Sequence, residues 1–86
     1  LQAEELALWL LGYTRSHYPG LLQARYQIPE EGSELELLGG IANARGCKLK
    51  GDLPDYPKAA VLFIDDFRSG RLGRLTLEQP PVRSTV

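Results

Sequence analysis

Residues 59–78, AAVLFIDDFRSGRLGRLTLE, constrain the fold most, because an apolar run with helical period passes directly into a run of arginines and glycines. Ala60, Phe63, Ile64 and Phe67 recur at i, i+3, i+4 and i+7, which puts them on one helical face. Val61 and Leu62 widen that stripe, as suits a helix covered by more than one neighbour. Asp55 stands where an N-cap is needed, and Pro57 falls in the first turn, where its missing amide costs least. The spacing therefore predicts a central helix over Tyr56–Ser69. Beyond it come Arg68, Arg71 and Arg74 at three-residue intervals, with Gly70 and Gly73 between them and no acid before Glu78. The expectation is an anchor helix that carries a basic surface.

The rest of the chain supplies partners for that helix. Residues 1–17 read as a first helix with Leu6, Trp9, Leu10, Tyr13 and His17 on one stripe and Glu4 and Glu5 at its positive end. Tyr18-Pro19-Gly20 stops it, since proline restricts the residue before it. Residues 20–27 form a short second helix that ends before Ile28-Pro29, and residues 30–32 are a loop. Ser33 and Glu36 make a capping-box pattern, so a third helix begins at Glu34. Its expected buried stripe is Leu35, Leu38, Ile41 and Ala42. Gly39 and Gly40 each cost about 1 kcal/mol of helix propensity relative to alanine, which points to close packing against the central helix. Arg45 suits the negative end of this helix, and Gly46 its C′ position. Residues 47–54 read as a loop. Leu72, Leu75 and Leu77 leave strand and extended segment undecided, and residues 80–86 lack any apolar period and are expected to be disordered.

Size and charge bound the function. A chain of 86 residues is one domain that buries only about 60–65% of its unfolded surface, too small a core for a roomy enzyme pocket. The formal net charge of −1 hides a polarised distribution. Glu30, Glu31, Glu34 and Glu36 form an acidic block, whereas residues 41–51 hold Arg45, Lys48 and Lys50 without an acid, and residues 67–77 likewise hold only arginines. Cys47 is the one cysteine and His17 the one histidine, which makes neither a disulfide nor a zinc site and suits a reducing, intracellular setting. No apolar run approaches the roughly 18–20 residues that span a bilayer, and no signal-peptide order opens the chain. Its first residue is Leu1 in place of methionine, from which a piece of a longer protein is expected.

Each chemical motif has a plainer reading beside it. Residues 46–51, GCKLKG, have the glycine spacing of a phosphate loop, but Asp52 and Leu53 replace the required Lys and Ser or Thr, so a helix end and a turn are expected. Asp65 and Asp66 are consecutive and point ~100° apart on a helix, which suits an Asp65–Arg68 surface pair better than a metal. His17 with Tyr13 and Tyr18 reads as a packed terminus before it reads as an RNA-stacking cluster. Cys47 and His17 lack an oxyanion hole and an orienting group, so no nucleophilic pair is expected. The basic segments carry the strongest functional signal: arginine and lysine neutralise phosphates, and glycines admit close backbone approach. The plain reading, that Gly70 caps the helix, Gly73 turns the chain and the arginines are solvated, stands level with it on spacing alone.

Three blocks add context. HYPGLLQARY, ELLGGIANARGCKLKGD and PDYPKAAVLFIDDFRSGRLGRLTLE, in that order, resemble the C-terminal domain of the RbgA/YlqF family of circularly permuted GTPases, which assists late assembly of the large ribosomal subunit. Ala44-Arg45-Gly46-Cys47, close to the family's KRGC, and residues 67–74, FRSGRLGR, are the most characteristic words. The resemblance implies an all-α module of about four helices, similar to ANTAR domains, over residues 1–79, with an extended basic segment and a disordered tail at 80–86. It implies contact with large-subunit ribosomal RNA in the cytoplasm, with no membrane or DNA partner. This chain would hold no cofactor and catalyse nothing, GTP and Mg belonging to a GTPase domain whose motifs it lacks. Arg68, Arg71 and Arg74 are then the first candidates for phosphate contact and Arg45, Lys48 and Lys50 the second, with Gly70 and Gly73 letting the backbone approach. Ala44 departs from the family, which has a basic residue there. The alternative is a protein-interaction domain that docks on its own GTPase domain or a ribosomal protein through Leu72, Leu75 and Leu77.

Overall fold

The Asp55 carboxylate accepts the Lys58 amide at 3.2 Å and Pro57 occupies the first turn, so the central helix starts at Tyr56 and ends at Ser69, as its sequence pattern predicts. The computed structural model describes residues 3–73; Arg74, Leu75, Leu77 and the tail expected at 80–86 lie outside them. The described residues form an all-α bundle: α1 (Ala3–His17), α2 (Leu21–Tyr26), α3 (Glu34–Ala44) and α4 (Tyr56–Ser69). A single 3-10 turn, Lys50–Asp52, lies in the segment expected to be a plain loop, beside an isolated bridge between Lys48 and Pro54. None of the described helices is long and apolar enough to cross a membrane.

α4 is the element on which the others pack, chiefly α1 and then α3, but its covered stripe is narrower than expected: Leu62 is half-buried and Val61 is 60% exposed. Phe63, fully buried, meets Tyr26 of α2 at 6.2 Å and Phe67 at 6.3 Å between ring centroids. Ala59 and Ala60 are also buried, while Ile64 and Phe67 lie half-buried at the edge. Large core side chains of this kind contribute about 1.5–3 kcal/mol each on burial.

Two helices present faces rotated from expectation. α1 buries Ala7, Leu10, Leu11 and Thr14, and leaves Trp9, expected in the core, 57% exposed. Ala7 and Thr14 are small enough for α4 to approach closely. The Thr14 hydroxyl donates to the Leu10 carbonyl at 2.7 Å and so enters the core satisfied. α3 buries Leu37 in place of Leu35, which is 47% exposed.

The start of α3 is the expected capping box. The Ser33 hydroxyl accepts the Glu36 amide at 3.1 Å, and the Glu36 carboxylate accepts the Ser33 amide at 2.8 Å. Gly39 lies under the Tyr56 ring at the start of α4, but Gly40 faces Ile28 of the α2–α3 connection, so only the first of the two glycines packs on the central helix. α3 ends with the Gly46 amide donating to the Asn43 carbonyl and the Cys47 amide to the Ala42 carbonyl, the paired bonds of a Schellman end.

The chain then turns back on itself after α4. Gly70 takes the left-handed conformation (φ 83°), and the amides of Gly70 and Arg71 both return to the Asp66 carbonyl. Leu72 is 5% exposed and joins the core. Over its described part, the segment expected to be extended is therefore a turn folded against the bundle.

Candidate nucleic-acid interface

Asp66 lies three residues after Phe63 and seven after Ala59, which puts a carboxylate on the buried stripe of α4, where it is 6% exposed. A charge withdrawn from water needs partners, and it has three. The Tyr26 hydroxyl donates to Oδ2 at 2.8 Å, Arg25 Nη2 lies 3.6 Å from the same oxygen, and Arg71 Nη1 lies 3.4 Å from Oδ1. Burial first, and then the bond to Asp66, push the Tyr26 phenol well above its ordinary range. Tyr26 also carries Arg45: that guanidinium lies 4.9 Å above the ring centroid, and its Nη2 donates to the Arg25 carbonyl at 3.2 Å.

Arg25, Arg45 and Arg71 thus converge from α2, the end of α3 and the turn after α4 on one buried Tyr26–Asp66 pair. Arg71 is also hydrogen-bonded to the exposed Asp65 at 2.9 Å, a contact that, ahead of Asp66, raises the arginine's pKa. This replaces the Asp65–Arg68 pair expected from spacing, because the turn at Gly70 swings Arg71 back over α4. Arg68 is exposed on the last turn of α4 and makes no ion pair with a described residue. Only one edge of each gathered guanidinium is engaged: Arg45 is exposed, and the side chains of Arg71 and Arg25 are 52% and 33% exposed. The Nε of Arg25 is shut from water with no acceptor among the described residues.

The other candidate residues are placed less uniformly. Lys48 is bound to Asp52 at 3.1 Å, so the aspartate that spoils the phosphate-loop pattern also occupies one of the expected cations. Lys50 is exposed in the 3-10 turn. Gly70 and Gly73 both have positive φ (83° and 111°), with open space where a Cβ would stand. The cap and turn roles read from spacing are met, and the backbone there is also open to approach. Two residues of the cluster escape a reading by segments. Arg25 is the lone charge in a short helix, LLQARY, and Asp66 shows itself only as an acid on the phase of the apolar stripe.

A different surface lies on α1. Trp9 stacks on Tyr13 at 5.4 Å and Tyr13 on His17 at 4.0 Å, so the aromatic cluster expected around His17 includes Trp9. These rings, with Leu8, Gly12, Glu34 and Leu35, line a shallow groove between α1 and the start of α3.

No protein-family model matches the chain. Among curated proteins it is 35% identical over 81 residues to ribosome biogenesis GTPase A of Bacillus cereus, a match covering 93% of this chain and 27% of that protein. It is 33% identical over 81 residues to the protein of the same name in Priestia megaterium, covering 93% and 28%, and 32% identical over 83 residues to that of Bacillus pumilus, covering 93% and 29%. Over nearly all of its own length the chain is thus similar to one stretch of ribosome biogenesis GTPase A. It spans less than a third of the length of these relatives, so it answers to a part of ribosome biogenesis GTPase A.

Proposed function

We propose that this chain is the ribosomal-RNA-contacting domain of a GTPase that assists assembly of the large ribosomal subunit. The observation that supports this reading is the convergence of Arg25, Arg45 and Arg71, with Arg68 exposed on the same end of α4, each guanidinium keeping donors for an outside acceptor. Guanidiniums in that arrangement suit the planar, bidentate contacts that phosphate oxygens accept. Arg68, Arg71 and Arg74 remain the first contacts in this reading, Arg45 moves up beside them, and Lys48 and Lys50 are secondary. The name of the relatives supplies the ribosomal context and the GTPase. GTP and its Mg would be bound in the part of those proteins that this chain does not span, so the chain contributes binding and no catalytic group. Its partners are then the pre-ribosomal large subunit and its RNA, in the cytoplasm, together with the GTPase domain.

The test is binding to large-subunit ribosomal RNA across a salt series, beside an Arg68→Ala, Arg71→Ala, Arg74→Ala variant confirmed as folded by circular dichroism. Log affinity should fall against log salt with a slope of about −0.7 to −0.9 per phosphate contacted, and the triple variant should lose both affinity and slope. Equal binding by the variant contradicts the assignment.

A second reading, docking on the GTPase domain or on a ribosomal protein, keeps a foothold elsewhere than expected. Leu72 is buried and cannot serve it, but the exposed Trp9 and Leu35 line an apolar groove that could. Association through that groove would respond little to salt.

A further inference from the structure

The carboxylate at the centre of the arginine cluster raises a question of sign: an acid beside a phosphate-binding surface should repel the ligand. Three cations, however, do not gather unaided, because like charges at this spacing repel. Asp66 is buried, fixed from one side by the Tyr26 hydroxyl at 2.8 Å, and its two oxygens face two different arginines, Arg25 through Oδ2 and Arg71 through Oδ1. Its carbonyl also holds the turn on which Arg71 sits, accepting the amides of both Gly70 and Arg71. Tyr26, the group that fixes Asp66, is in turn the ring on which Arg45 lies. One side chain therefore touches two of the three cations and the tyrosine that carries the third. The exposed Asp65 is a different kind of acid: it meets Arg71 alone, from solvent, and holds nothing else in the cluster.

We infer that Asp66 is a positioning residue that preorganises Arg25, Arg45 and Arg71 into one phosphodiester-binding patch, and that Arg25 is itself an RNA contact of that patch. This rests on the RNA-contact reading above. Preorganisation removes the cost of ordering long side chains at the moment of binding, and this benefit outweighs the repulsion from a carboxylate already neutralised by its own partners.

The two acids make the inference testable, because a positioning role and a plain charge role have opposite signs. The probe is a large-subunit ribosomal RNA transcript, titrated into the chain at fixed ionic strength. Asp66→Asn keeps the size of the side chain and removes a negative charge. If Asp66 acts only through its charge, this variant binds more tightly; if it positions the arginines, binding weakens by about ten-fold and the salt slope shrinks by about 0.7 or more, one lost phosphate contact. Asp65→Asn should bind as the wild type does or about two- to three-fold more tightly, since it frees Arg71 from a surface competitor. Tyr26→Phe retains the ring under Arg45 and every charge, loses only the hydroxyl that fixes Asp66, and carries the test should Asp66→Asn not fold. It should weaken binding by about three- to five-fold. Arg25→Gln should weaken it and lower the slope. Wild-type strength or tighter binding in a folded Asp66→Asn or Tyr26→Phe variant overturns the positioning role alone. Failure of the wild-type chain to bind the transcript overturns the RNA reading and this inference together.

Discussion

At the scale of single residues, the Tyr26–Asp66 pair decides most. Removing the carboxylate with Asp66→Ala leaves the buried Tyr26 phenol without its acceptor, which costs about 1–3 kcal/mol, while the part-exposed Arg25 and Arg71 turn to water. A urea melt should show that loss, and one below about 1 kcal/mol would mean that solvent replaces the carboxylate freely. Tyr26 also gives the fold a dependence on pH. Its folded pKa is raised above the ordinary 10.0, first by burial and then by the bond to Asp66, so the fold favours the neutral phenol. The stability this group contributes is complete below about pH 10 and is lost as pH rises past it, because the unfolded tyrosine ionises there and the folded one does not. Tyr26→Phe should be less stable by about 1 kcal/mol at pH 7, and its stability should decline more gently above about pH 10. Parallel declines in denaturant melts of the two proteins would show that Tyr26 contributes nothing to the alkaline limb.

At the scale of elements, the helix ends carry separable contributions. Ser33→Ala removes one half of the capping box and should cost about 1 kcal/mol, read as a lower melting temperature with an unchanged fold. Gly39→Ala should act in the other direction. A Cβ there would stand 3.5 Å from the Tyr56 hydroxyl oxygen and 3.6 Å from its nearest ring carbon, an ordinary contact, so the gain of about 0.5–1 kcal/mol in helix propensity should appear nearly whole. At Gly40 the nearest Ile28 carbon would be 3.3 Å away, tight enough that the same substitution should gain less. Both signals, the caps and the glycine pair, are local, and so the starts and ends of α3 and α4 were legible from sequence. The buried faces were less so. A helical period names a stripe, but whether Trp9 or Ala7 lies at its centre depends on how closely α4 approaches, and that is set by residues far away in the chain.

At the scale of the whole molecule, the same distinction separates the parts of the site. Arg68, Arg71 and Arg45 are visible as cations beside glycines, in segments without acids. Arg25 and Asp66 are not, because α2 and α4 meet only in the folded bundle, and a buried acid two positions before Arg68 looks in sequence like one more surface charge. The central claim is that RNA is met by this arginine cluster and not by the Trp9 groove, and the two surfaces can be watched at once. Arginine side-chain Nε–H resonances report the cluster, and the chain's single tryptophan, Trp9, reports the groove by its fluorescence. On titration with a large-subunit ribosomal RNA transcript at moderate salt, the resonances of Arg25, Arg45, Arg68 and Arg71 should shift together while Trp9 emission stays constant. Quenching or a shift of Trp9 emission with the arginine resonances unmoved would place the contact in the groove and contradict the account.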